Sequence, residues 1–176
     1  LTENLLDIKN WKKVSDDTSE FLSQYHDIPF KGEVPENITP NSPVRNYPYY
    51  MNFAGERLLI TGGGHIANRL DRPGTIMTFE NNTWNSFQEE GISEQTKHRY
   101  DDINCIVQDP KDIAHHFAAS AGEGIYEFKD GKFINWYSMH NSPLESAVPN
   151  EPWADSYVRV NGLIYDKENN LWMVSC

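Results

Sequence analysis

From Pro48 onward, apolar and polar positions come in short runs and do not recur at helical spacing. Residues 57–61, 76–80, 103–109, 117–120, 125–129 and 171–175 are rich in β-branched and aromatic side chains. Gly, Pro, Asn and Asp bound them. That texture predicts strands joined by turns. Upstream, Pro29, Pro35, Pro40, Pro43 and Pro48 forbid a long helix. Residues 1–48 are therefore expected to be loop-rich, with one or two helical turns near 18–25.

The strands repeat. Residues 102–109 align with 159–166, matching Ile103 to Val160, Asn104 to Asn161 and Asp109 to Asp166. Residues 76–87 align without a gap with 125–136. Both stretches read as hairpins, turning at Asn81-Asn82 and Asp130-Gly131, residue types that tolerate positive φ. The unit is an inner strand, an Asp-rich turn, a strand ending in a small residue, a glycine, a hairpin and a closing aromatic. Four strands recurring at about 50 residues is propeller-blade spacing.

The expected fold class is all-β, a partial β-propeller of about three four-stranded antiparallel blades and a fragment of a larger propeller. The blades are expected at 49–87, 103–137 and 158–176, the last incomplete. Residues 1–48 would lead into them or close a neighbouring blade. Closed propellers generally need about four blades or more. Further sequence, or edge-strand self-association with another copy, would have to satisfy the open edge. Trp84, Phe133, Trp136 and Trp172 recur in register and are expected between blades.

Charge narrows the partners. The formal net charge of −11 repels phosphate backbones and anionic membranes, and the nearest basic cluster is the pair Lys12-Lys13. No nucleic acid is expected. No apolar run reaches the about 18 residues that a membrane span requires. The chain opens at Leu1, as a processed chain or an excised piece would. Cys105 sits in an apolar run and reads as a buried small hydrophobe. A disulfide to Cys176 is left open by two cysteines alone.

Candidate chemistry is sparse. Residues 62–67 fit G-x-G-x-x-A after a strand, with Glu80 near the position of a ribose-binding acid. A dinucleotide site needs a helix there, yet Asp71-Arg72-Pro73-Gly74 leaves room for under about two turns. An inter-strand loop is the better reading, and no cofactor is expected. That loop supplies the ligand-binding candidates His65, Asn68, Arg69 and Arg72, because propeller loops carry function on a rigid scaffold. Trp153, off the repeat between Pro152 and Ala154, is a fifth candidate, as an exposed anchor or a cap.

His115 and His116 are adjacent on a strand and point to opposite faces, with His116 expected packed and His115 exposed. His26, His65, His98 and His140 show no metal spacing, and no metal site is expected. Asp101-Asp102, Asp109 and Asp166 read as turn formers, not as paired acid–base carboxylates. Ser120, Ser138 and Ser142 lack a Gly-x-Ser-x-Gly context. No catalytic residue is expected.

Residues 124–133 and 162–173, the latter carrying Asn170-Leu171-Trp172, resemble the two-component regulator propeller repeat of Bacteroidetes. Residues 117–124, Asn141-Ser142-Pro143-Leu144 and the strand running into Gly62-Gly63-Gly64 resemble the amino-terminal propeller of the PorZ-like family that accompanies type IX secretion. The resemblance implies an exported protein, periplasmic or on the cell surface. It also implies a non-catalytic binding or sensing module for a glycan or protein partner. The alternatives are the periplasmic sensor domain of a hybrid histidine kinase and a propeller enzyme of the lyase or glycoside hydrolase class.

Overall fold

A computed structural model describes residues 41–64 and 70–175. The expected turns at 18–25, most of segment 1–48, and Cys176 lie outside the described residues. The first sheet has the order β1 (Tyr50–Ala54), β2 (Arg57–Thr61), β3 (Ile76–Glu80), β4 (Thr83–Ser86). The second is β5 (Ile103–Asp109), β6 (Asp112–Ser120), β7 (Ile125–Lys129), β8 (Lys132–Tyr137). The third pairs β9 (Val160–Tyr165) with β10 (Leu171–Ser175). Every strand pair is antiparallel. This is a partial β-propeller: sequential blades stacked face to face within one compact unit, residues 42–176. One five-residue helix, α1 (Ile92–Thr96), interrupts the crossover from β4 to β5 and buries Ile92.

Turn chemistry explains the hairpins. Asn81 and Asn82 take φ 50 and 59, and Asp130 and Gly131 take φ 51 and 71. Positive φ at both central residues matches the twist of the flanking strands. Asp109 Oδ1 accepts the Lys111 amide at 2.8 Å, and Asp166 Oδ1 accepts the Asn170 amide at 2.8 Å. Both aspartates are turn clamps.

Two-residue periodicity sorts side chains between two cores. Ile106, Ala118, Tyr126 and Phe128 face the first blade, where they meet Leu59, Ile76, Phe87 and Tyr100. Their strand neighbours Cys105, Val107, Ala119 and Ile125 face the third blade, where they meet Val160 and Leu163. Each fully buried Leu, Ile, Val or Phe among them contributes about 1.5–3 kcal/mol by leaving water. A bulge opposite Glu127–Phe128 shifts the register of β8, so Phe133 pairs with Phe128 and Trp136 with Tyr126. The extra residue puts both aromatics on one face, against the first core. The buried Asn104 Nδ2 donates to Val160 O at 2.9 Å and ties the inner strands of two blades.

Three residues depart from expectation. Trp172 is 60% exposed, not packed between blades. It pairs across β9–β10 with Ile164, as Phe117 pairs with Val107 in the second blade. The third blade covers that face of the second, whereas no described residue covers the face carrying Ile164, Trp172 and Val174. Trp84 is half-buried on the outward face of the first blade, its ring 5.0 Å from Phe79. His115, expected exposed, is half-buried. Its Nε2 lies 2.6 Å from Glu127 Oε1 and its Nδ1 3.4 Å from Asp109 Oδ2. His116 is packed as expected, 1% exposed.

Candidate functional site

Alternate strand connections put the tight hairpin turns at one end of the blades. The β2–β3 loop, the β6–β7 loop and the two crossovers, 87–102 and 138–159, lie at the other end. Of the sequence candidates, Arg72 and Trp153 belong to this second end. His65, Asn68 and Arg69 lie outside the described residues. Arg72 is engaged in structure: its guanidinium sits 5.0 Å over the Tyr47 ring and its Nη1 donates to Gly62 O at 3.5 Å. Trp153 is 54% exposed in the second crossover, just ahead of a 3-10 turn, Ala154–Tyr157. The structure thus presents one candidate, Trp153, to solvent and uses another, Arg72, to anchor a loop.

The glycine run makes no dinucleotide site. β2 and β3 are adjacent antiparallel strands, not the parallel pair of a crossover unit. Gly63 packs where a Cβ would fall 2.3 Å from the Asp102 carbonyl carbon, and its amide donates to Ile103 O at 2.8 Å. The glycine lets the first and second blades touch backbone to backbone.

Asp71, Asp101 and Asp102 bring carboxylates together at this junction, and their partners are already in place. Asp102, at φ 46, accepts the amides of Asp71 and Arg72 at 2.9 and 3.1 Å. Arg99 Nη2 reaches Asp71 at 2.6 Å and Asp101 at 2.7 Å. The cluster is an ion-paired strut between the β2–β3 loop and the first crossover.

Histidines that look isolated in sequence meet here. His98 stacks on Trp136, ring centroids 4.5 Å apart, with its Nδ1 3.4 Å from the fully buried Glu123 carboxylate. Thr96 Oγ1 donates to His98 O at 3.1 Å and fixes its backbone. His140, from the second crossover, lies with its ring centroid 6.4 Å from that of His98, and its Nε2 is 3.0 Å from Asp155 Oδ1. No sequence signal joins these residues, because three different connections supply them.

A groove of ≈ 530 Å³ runs beside β10, walled by Phe117, Ile125, Tyr137, Leu144, Leu171 and Met173. At its edge, Tyr137 donates to Glu127 Oε2 at 2.8 Å, extending the Glu127–His115–Asp109 chain. The Lys111 amide chiefly holds the Asp109 carboxyl below the usual range, with help from His115 and Asn169. Burial pushes the Tyr165 phenol up to about 12, with Asp109 and Glu127 adding to it. These groups tie strands and blades together around an apolar recess.

No family model and no curated protein matches the chain. Among solved structures, the chain is similar to that of PorZ, an essential bacterial surface component of the type IX secretion system of Porphyromonas gingivalis. The TM-score is 0.69 and the identity 26%. The match covers 80% of this chain and 18% of that one, so the chain spans a small part of the protein it resembles.

Proposed function

We propose that this chain is part of an exported, non-catalytic propeller component of a type IX secretion assembly at the cell surface. Its role there would be to bind a protein partner. The observation that carries the reading is the likeness to PorZ over 80% of this chain, at a TM-score of 0.69 and 26% identity. The chemistry of the loop face supports it. Arg72, Arg99, Asp101 and Asp102 serve loop anchoring, while Trp153 stands out as an aromatic anchor of the kind enriched at protein interfaces. The formal charge of −11 favours a basic partner surface over an acidic one.

The test is deletion of the gene that encodes this chain, followed by an assay of cargo delivery to the cell surface. Loss of delivery, restored by the wild-type gene and weakened by Trp153→Ala, is the expected result. Normal delivery with the protein retained inside the cell refutes the reading. Retention of wild-type protein on immobilised surface polysaccharide, with no protein partner recovered by cross-linking at position 153, would replace the protein partner with a glycan. A sensor half of a hybrid kinase is the rival reading from the repeat, and no observation here favours it.

A further inference from the structure

We infer that the cleft between the first and second blades, at their hairpin end, binds an organic cation: an alkylguanidinium or alkylammonium group, free or at the end of an arginine or lysine side chain. The inference is independent of the secretion reading.

The cleft encloses ≈ 440 Å³, within the about 300–1,000 Å³ of small-molecule sites. β2, β3 and β4 wall it on one side, β6 and the turn at Asp130-Gly131 on the other. His116 belongs to that wall and is 1% exposed. Phe87 holds its ring in an edge-to-face contact, centroids 4.9 Å apart. Its Nδ1 lies 3.2 Å from Ala114 O, which can only accept, so Nδ1 carries the proton. Burial keeps the imidazole neutral, its pKa lowered to about 4, and Nε2 is therefore an acceptor. That nitrogen is buried with no hydrogen-bond partner among the described residues. Native structures rarely leave such a group unmade, and an N–H donor in the cleft would satisfy it.

The rest of the lining sets the charge of the ligand. Arg57 is already engaged: Nε and Nη2 donate to Glu80 Oε2 at 3.1 and 2.9 Å, and Nη1 donates to Ile113 O at 2.8 Å. With that ion pair neutral, the exposed Asp130 carboxylate leaves the lining negative. An anion would meet this carboxylate and the Nε2 lone pair, and is excluded. A bare metal ion does not fit either. Among the described residues, only Asp71, Asp101 and Asp102 bring three such ligand atoms within coordinating range of one another. Glu80, His116 and Asp130 are too widely spaced to share one ion. A larger cation that donates N–H at more than one point can span them. Phe87 and the exposed Ile113 offer apolar surface to its alkyl stem.

The test is calorimetric titration of the full 176-residue chain with agmatine at pH 7.5 and low salt, repeated with acetate. One agmatine per chain is expected, with no acetate binding and at least a tenfold loss of affinity in both His116→Phe and Asp130→Asn. Phenylalanine keeps a ring against Phe87, and asparagine accepts the positive φ of the turn, so the fold survives both changes. The peptide acetyl-Gly-Arg-Gly-amide, set against the same peptide with citrulline for arginine, separates the two sources. Binding of the arginine peptide assigns the cleft to a basic side chain on a partner, and binding of agmatine alone assigns it to a free amine. A second readout is the Nε2 nitrogen resonance of His116, which should shift as agmatine saturates the wild-type chain. Failure of both agmatine and the arginine peptide to bind overturns the site, and so does binding unchanged in His116→Phe. Equal binding of the citrulline peptide overturns the cationic ligand.

Discussion

Gly124 and Gly162 form a matched pair that tests how closely the second blade is packed. Both take positive φ, 82 and 91. An alanine pays a left-handed backbone penalty of about 1–2 kcal/mol at either place. Their surroundings differ. A Cβ at Gly162 meets nothing within 4 Å, whereas one at Gly124 falls 2.1 Å from the Tyr137 carbonyl oxygen. That oxygen is backbone at the end of β8, so relief requires a shift of about 1 Å in the sheet, and overpacking of this kind costs about 1–3 kcal/mol more. The Gly124 amide also donates to Val158 O at 2.8 Å, so the shift strains the link to the third blade. Gly162→Ala should lower stability by about 1–2 kcal/mol and Gly124→Ala by about 2–5 kcal/mol. At about 3–4 °C per kcal/mol for a domain of this size, the two melting temperatures should differ by about 7 °C. Urea unfolding followed by tryptophan fluorescence, with thermal melts alongside, measures both. Equal losses within about 0.5 kcal/mol would refute the close backbone approach.

Three further outcomes follow from buried or clamped groups. Burial lowers the His116 pKa from 6.5 to about 4, so the unfolded chain binds the proton more readily than the folded one. The resulting stability is intact above pH 6.5 and falls by up to about 3 kcal/mol as pH drops to 4. Urea midpoints at pH 7 and 4.5 should show the loss in wild type and less of it in His116→Phe. The Trp172 indole, then the Asn170 side chain and amide, lower the Asp166 carboxyl to about 2. The difference in fluorescence between wild type and Trp172→Phe should titrate with a midpoint near 2, and a midpoint near 4 contradicts the clamp. Burial pushes the Cys105 thiol up, so in a Cys176→Ser background it should resist a thiol reagent at pH 8 until denaturant is added. Rapid labelling of the native protein would place Cys105 outside the core.

Local physics was legible in the sequence. Asn81-Asn82 and Asp130-Gly131 turn the chain because their own backbones accept positive φ. Asp109 and Asp166 bond amides within four residues. The short apolar runs along β5 to β7 were enough to read strands, and the recurrence of the unit was enough to read stacked blades. Arg72 shows where that reading stops: a polar residue on a loop was a reasonable ligand contact until Tyr47 and Gly62 were found holding it.

Tertiary structure decided the rest, because contacts between blades depend on register and on which neighbour is present. The aligned hairpins share one pattern of strand, turn and strand, but only the second carries a bulge, in β8, which turns Trp136 toward the first core. Trp172 occupies the same repeat position as Phe117 yet faces water, since covering a sheet face takes another blade and not a property of the residue. The sequence by itself determined strands, turns and the repeat, all set by forces acting within a few residues. The meeting of His98 with His140 and the choice of buried face were decided only when separate connections converged at one end of the stack, because packing joins residues that chain order keeps apart.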